Sequence, residues 1–85
     1  MAFVRLYVGN FDKDITKEEL RELFEDYGEV RDVKIQTDPK TGKSLGFGSV
    51  EIKGNRDAKQ AVRALDWKRW WGRTLRVMLP SKEKL

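Results

Sequence analysis

The 85-residue chain contains no cysteine and no histidine, has only two prolines, and carries no long apolar run. The lack of cysteine rules out disulfides and thiolate metal sites and favours an intracellular protein, cytoplasmic or nuclear and not secreted. The lack of histidine removes the commonest general base and metal ligand. No stretch approaches the roughly 20 apolar residues of a membrane span, and the N-terminus lacks the layout of a signal peptide. We therefore expect no catalysis, metal, cofactor or membrane association.

The length and the charge distribution indicate one small domain with two unlike sides. We expect a single domain over 1–85, monomeric, with its core at about 4–80 and a short polar tail at 81–85. Residues 12–29 hold eight acidic and three basic residues, whereas 53–85 hold ten basic and three acidic residues. This division suits a protein that presents one side to a polyanion, although solvated charges alone also keep a domain in solution.

Two segments show the spacing of amphipathic helices, with apolar residues at i, i+3, i+4 and i+7. At the start of the first helix, Thr16 and Glu19 match a capping box, and Gly28 is placed to end that helix in the left-handed conformation. The second helix is expected to take Asn55 or Asp57 as its N-cap. Each helix therefore has one apolar stripe to bury.

Strands are predicted over 5–11, 29–37, 45–52 and 72–79, and the polar turn 38–44 joins the second to the third. The order is βαββαβ. Two helices with one apolar stripe each must cover one face of a four-stranded antiparallel sheet and leave its other face to water. The predicted fold class is α+β, a ferredoxin-like sandwich with both helices on one face of the sheet.

The uncovered side of the sheet, here called the open face, is predicted to carry Tyr7 and Phe47 side by side on the two central strands. Exposed rings are unfavourable in water unless something covers them, and an unpaired base stacked on a ring contributes about 1–3 kcal/mol. The alternative is an ordinary cross-strand pair on a half-buried sheet. The basic residues around the two rings favour nucleic-acid binding.

The segments LYVGNF (6–11) and KSLGFGSVEI (43–52) resemble the two signature segments of the RNA recognition motif domain. The resemblance extends over about 4–80, including the turn at 38–44 and the closing GRTLRV. It implies binding of single-stranded RNA, with Tyr7 stacked on one base; single-stranded DNA is an alternative ligand. The eight-residue signature departs from the family pattern at three positions. Leu45 replaces a basic residue, Ser49 replaces a second stacking aromatic, and Ile52 replaces an inward-facing aromatic.

These departures affect the expected strength of binding more than its location. Lys43 lies two residues before Leu45 on the same face and can supply the positive charge that the family usually has at the position of Leu45. Loss of the ring at Ser49 should weaken binding by about 1–3 kcal/mol, the value of one base stack. The residues predicted to contact RNA are Arg5, Tyr7, Asn10, Lys34, Gln36, Lys43, Leu45, Phe47, Ser49, Arg76, Met78 and Lys82.

The segment LDWKRWWGR (65–73) is the expected source of accessory contacts. Trp67 stands where the family usually has glycine, so either it adopts a left-handed conformation at about 1–2 kcal/mol or the loop takes another path. Trp70 is expected at the edge of the core, and Trp71 on the opposite, exposed side. The candidate accessory or partner contacts are Trp67, Lys68, Arg69, Trp71 and Arg73.

A protein partner is the alternative function. One branch of the same fold binds peptides through an Arg-x-Phe motif in this loop and an acidic first helix. Here 68–70, with the sequence KRW, occupies the place of that motif, and neither motif residue matches in identity. The first helix carries Glu18, Glu22, Glu25 and Asp26. A third interpretation is an engineered or stabilised variant, which the three tryptophans and the absence of cysteine and histidine would fit.

Overall fold

The computed structural model describes residues 2–80, which form two helices and six strands. In chain order the elements are β1 (Phe3–Gly9), α1 (Lys17–Glu25), β2 (Val30–Thr37), β3 (Ser44–Lys53), α2 (Asn55–Leu65), β4 (Arg69–Trp70), β5 (Arg73–Thr74) and β6 (Arg76–Met78). Four strands form a sheet in the order β2–β3–β1–β6, and β4 pairs with β5 in a small separate hairpin. The pairings are antiparallel. The α+β ferredoxin-like fold is confirmed.

Both helices bury their apolar stripes against the same face of the sheet. Leu20 and Phe24 of α1 and Ala61 and Leu65 of α2 are fully buried, as is Leu6 of β1. Successive side chains of a strand point to opposite faces, so the residues between the buried ones point away from the helices. Neither helix within 2–80 has the length and apolar character needed to cross a membrane.

The capping box at the start of α1 is present as predicted. The Glu19 amide donates to Thr16 Oγ1 at 3.1 Å, and the Thr16 amide donates to Glu19 Oε1 at 2.8 Å. The prediction for Gly28 is wrong: α1 ends at Glu25 with Asp26 as its C-cap in the right-handed conformation, and Gly28 has no positive φ. A Cβ on Gly28 would lie 2.9 Å from Asp57, so glycine here permits close approach to the first turn of α2.

The predicted N-cap of α2 is also wrong. Gly54, at φ 83°, precedes the first helical residue, and no side chain caps the helix. The Gly54 amide donates to the Ala2 carbonyl at 2.9 Å, and the Ala58 amide donates to the Gly54 carbonyl at 3.2 Å. Pairing with the start of the chain therefore holds Gly54 at a φ that glycine tolerates, and Asn55 becomes part of the helix.

The strands differ from their predicted bounds where the backbone takes positive φ. Asn10, at φ 63°, ends β1 at Gly9, so the strand is shifted from the expected 5–11. The predicted strand 72–79 is divided at Leu75 into β5 and β6, which have different partners. After a turn at Trp71 (φ 54°) and Gly72 (φ 77°), β5 pairs with β4, whereas β6 pairs with β1. Leu75 is buried between the two.

Trp70 and Trp71 are placed as predicted, and Trp67 takes the first of its two predicted alternatives. Trp67 adopts the left-handed conformation with φ 71°. Trp70 is partly buried against the core, whereas Trp71 is 53% exposed. The Trp67 amide donates to the Leu75 carbonyl at 2.8 Å, so a backbone bond holds this turn beside the end of the sheet.

We predict that Gly48→Ala lowers the free energy of unfolding by about 1–3 kcal/mol, the usual cost of overpacking. Gly48 is buried in β3, and an added Cβ would overlap the carbonyl oxygen of Lys34 on β2. Gly9→Ala is the matched control, since its Cβ would meet only Phe47 Cβ, at 3.9 Å. Urea denaturation of both variants measures the difference. Equal stabilities would show that β2 and β3 do not approach this closely.

Candidate nucleic-acid interface

A row of four side chains crosses the open face, because residues paired between neighbouring strands point the same way. Lys34 on β2 pairs with Ser49 on β3, Ser49 with Tyr7 on β1, and Tyr7 with Met78 on β6. Tyr7 is 45% exposed and Met78 49%. The row therefore presents a cation, a small hydroxyl, an aromatic ring and a thioether to solvent.

The next row carries the second ring. Phe47 on β3 pairs with Gly9 on β1, which pairs with Arg76 on β6. Phe47 is 47% exposed, and Gly9 leaves a gap beside it. Tyr7 and Phe47 are therefore diagonal neighbours one row apart, and the prediction that they lie side by side is corrected: the direct partner of Tyr7 is Ser49.

A depression of about 260 Å³ lies over the short side chain of Ser49. Its walls include both exposed rings and a lysine from β2, so it is apolar at its sides and cationic at its rim. The lining residues are Arg5, Tyr7, Lys34, Gln36, Phe47, Gly48 and Ser49. An aromatic side chain at position 49 would occupy this space.

Two arginines neutralise Glu51, which points to the open face from β3. Arg5 Nη2 lies 3.0 Å from Glu51 Oε2, and Arg31 donates to Glu51 Oε1 through Nη2 at 2.7 Å and Nε at 3.0 Å. The hydrogen bonds from Arg31 and Arg5 lower the pKa of Glu51, and Glu51 raises the pKa of Arg5. Arg31 also stacks over the ring of Phe3, with 4.2 Å from Cζ to the centroid.

Sequence reasoning did not include Glu51 or Arg31 among the candidate site residues. Strand alternation predicts that Glu51 lies on the same face as Phe47, so the position of Glu51 was available from the sequence. The partnership with Arg31 was not, because it depends on an irregular register between β2 and β3 around residues 30–32. Arg5 is therefore not a free cation on the open face, because it belongs to an ion-pair network with Glu51 and Arg31.

Arg76 is held at the outer edge of β6. Its Nε donates to Asp66 Oδ1 at 2.9 Å, and the same oxygen accepts from the Val77 amide at 2.9 Å. The Arg76 guanidinium stacks over Trp67 with 4.0 Å from Cζ to the ring centroid. Arg76 is therefore a positioned cation rather than a freely moving one.

Asn10 and Arg73 connect the end of β1 to the hairpin. Asn10 Nδ2 donates to the Thr74 carbonyl at 2.8 Å, and Arg73 Nη2 donates to Asn10 Oδ1 at 2.8 Å. The two residues line a cleft of about 400 Å³ next to Phe47 that also includes Lys13. Asn10 thus has two protein partners, and an RNA contact from it stays a prediction. Lys13 was missed by sequence reasoning, since it lies in a loop outside every pattern.

The remaining predicted contacts surround the rings. Lys34 and Lys43 are exposed and make no ion pair within residues 2–80. Gln36 is exposed on β2, and Leu45 is 44% exposed at the start of β3. Lys82 lies outside the described residues.

The hairpin residues divide between two sides of the molecule. Trp67, which is 65% exposed, is in contact with Arg76, whereas Trp71 lines a cleft with Glu19, Glu22 and Leu23 of α1. Lys68 and Arg69 are exposed between them. The structure therefore separates the candidate accessory residues, which do not form one surface.

A model of the RNA recognition motif matches residues 6–76, most of the chain. The chain belongs to the RNA recognition motif family. RbpA of Synechocystis sp. is 40% identical over 72 residues, which cover 85% of this chain and 71% of RbpA. The crystal structure of RNA-binding protein PG1 is 36% identical with a TM-score of 0.88, covering 91% of this chain and 93% of that one. The Rna15 RRM solved with bound RNA (GU) is 30% identical with a TM-score of 0.81, covering 91% and 82%.

Within this RNA recognition motif domain, Glu51 gives a test of the open-face charge network. Because Arg31 and Arg5 lower the pKa of Glu51, its stabilisation should be fully present above pH 4.5, the ordinary glutamate value, and disappear as the pH falls through the lower folded-state pKa. We predict that the unfolding free energies of wild type and Glu51→Gln differ by a constant amount above pH 4.5 and converge below it. Urea denaturation across that range measures this. A difference unaffected by acid would contradict the network.

Proposed function

We propose that the domain binds single-stranded RNA across its open face, with Tyr7 and Phe47 stacked on two adjacent bases. The observation that carries the proposal is the pair of half-exposed rings on the two central strands, one row apart, with no part of residues 2–80 covering them. Each base has a π-face, so stacking of this kind accepts any sequence and contributes about 1–3 kcal/mol per base.

The phosphates would be neutralised mainly by the two lysines, Lys34 and Lys43, with Arg76 at the far edge. Arg5 contributes less, because Glu51 already balances part of its charge. Gln36 and the strand backbone can donate to and accept from base edges, which single-stranded RNA leaves accessible. Neutralising phosphates releases counterions, so affinity should fall steeply as salt rises.

Family membership supports this function over others. PG1 is an RNA-binding protein by name. The Rna15 RRM, which has a similar fold, was solved with bound RNA. We infer a binding module rather than an enzyme, without a cofactor, acting as a monomer in the cytoplasm or nucleus. Single-stranded DNA remains an alternative ligand, since base stacking does not distinguish it from RNA.

A second candidate function is peptide binding on the opposite side. The cleft of about 330 Å³ between α1 and the hairpin is lined by Glu19, Glu22, Leu23, Trp70 and Trp71. Its acidic rim and aromatic wall suit a basic, aromatic-containing peptide, since tryptophan is frequent at interface hot spots. This cleft and the open face share no lining residue, so single substitutions can separate the two functions.

We predict that Phe47→Ala abolishes most RNA binding while the circular dichroism spectrum stays that of the folded protein. Losing one stack should weaken binding by about 1–3 kcal/mol. Trp71→Ala is the matched control, because it removes an exposed ring from the helix side. Fluorescence anisotropy measures both variants, once with a labelled oligonucleotide and once with a labelled basic, aromatic-containing peptide. Unchanged affinity in Phe47→Ala, with loss of peptide binding in Trp71→Ala, would favour the second candidate.

We predict that Ser49→Phe tightens RNA binding by about 1–3 kcal/mol, because a ring there would fill the depression and add a third stacking surface. Ser49→Leu is the control, since it fills the same space without a π-face. Isothermal titration calorimetry with a short oligonucleotide compares the two. An affinity of Ser49→Phe equal to or weaker than that of the wild type would show that serine is not simply a missing stack, and equal affinities of the two variants would show that the π-face adds nothing.

A further inference from the structure

Two tryptophans in the region between α2 and β6 combine backbone strain with exposure. Trp67 has φ 71° and Trp71 has φ 54°, and residues other than glycine rarely adopt this left-handed backbone conformation. Trp67 is 65% exposed and Trp71 53%, so neither gains much burial in return. Strain that burial does not offset is concentrated at functional sites in proteins, which makes both residues candidates for ligand contact.

The two rings have opposite electrostatic surroundings. Trp71 lies beside Glu19 and Glu22 of α1, which would repel a phosphate. Trp67 lies against the guanidinium of Arg76, and exposed basic residues follow it in the chain. Of the two, only Trp67 therefore suits a polyanion.

Arg76 connects Trp67 to the open face. Arg76 pairs with Gly9 of β1, in the same row as Phe47 and next to the row of Tyr7. Gly9 has no side chain, so nothing at that position separates the Phe47 ring from the Arg76 edge. A strand of RNA that leaves Phe47 across β1 would reach Arg76 and then Trp67.

The pair is preorganised. Asp66 Oδ1 accepts from Arg76 Nε at 2.9 Å and from the Val77 amide at 2.9 Å, which fixes the guanidinium to the β6 backbone. The ion pair uses Nε, and the Nη groups are left as donors for a phosphate. The guanidinium covers part of the indole of Trp67, and the exposed part can accept a base.

We propose that Trp67 and Arg76 form a further nucleotide subsite at the β6 edge, in which the indole stacks on a base and the guanidinium binds its phosphate. This inference rests on the proposed RNA binding and extends it beyond the central strands. The Trp67–Arg76 subsite supplies a stacking surface in place of the ring that Ser49 lacks.

The test compares Trp67→Gly with Trp71→Gly, because each removes an exposed indole and relieves a positive φ in the same region. Affinity is measured for an unstructured RNA of about eight nucleotides and for one of about three, which spans only the central rings. Trp67→Gly should weaken binding of the longer RNA about tenfold and leave the shorter unchanged. Trp71→Gly should bind both like the wild type. Circular dichroism checks that each variant is folded.

Phe47→Ala is measured in parallel, so that failure of the subsite and failure of RNA binding are distinguishable. If Trp67→Gly keeps full affinity for the longer RNA while Phe47→Ala loses it, the subsite is wrong and the proposed function stands. If neither variant loses affinity, both are wrong. Equal losses of affinity in Trp67→Gly and Trp71→Gly would show that the losses come from a changed loop structure, and would overturn the subsite.

A conservative pair keeps the proposal testable if Trp67→Gly does not fold. Trp67→Phe retains a π-face, whereas Trp67→Leu retains apolar bulk without one. The phenylalanine variant should bind the longer RNA several-fold more tightly than the leucine variant. Equal binding by the two would overturn the stacking role.

Discussion

Both helices pack against one face of the four-stranded sheet, where Leu20, Phe24 and Ala61 are fully buried. Because strand side chains alternate, this packing determines which residues face water on the other side. Tyr7 and Phe47 are exposed for that reason, and the helices cannot cover them without giving up the core. The open face is therefore a consequence of the fold, and its chemistry depends on which residues occupy the outward positions.

The charges near the open face are not equivalent. Glu51 holds Arg5 and Arg31, and Asp66 holds Arg76, whereas Lys34 and Lys43 make no ion pair within the described residues. Arginine residues with carboxylate partners are fixed in place and partly neutralised, so they position a ligand more than they attract it. Long-range attraction of a polyanion then depends mainly on the lysines.

Periodic patterns in the sequence predicted the two helices and the four strands of the main sheet. The wrong predictions concern residues whose roles depend on contacts with distant parts of the chain. Alternation placed the two rings on the open face, and the capping box located the start of α1. Gly28 was misread because its role depends on close approach to Asp57, and Gly54 was overlooked as the N-cap of α2 because its conformation depends on pairing with Ala2; both partners are distant in sequence. The diagonal placement of Tyr7 and Phe47 follows from strand register, and the stacking of Arg76 on Trp67 from the turn after α2; neither leaves a local signal.

The most direct measurement is an NMR titration of the isotope-labelled domain with a mixed-sequence single-stranded RNA. Stacking on the open face predicts that amide shifts cluster on 5–10, 43–49 and 76–78, at the three strands that carry the rings and Arg76. Shifts confined to α1 and the 69–74 hairpin, with the central strands unchanged, would contradict binding through the two exposed rings.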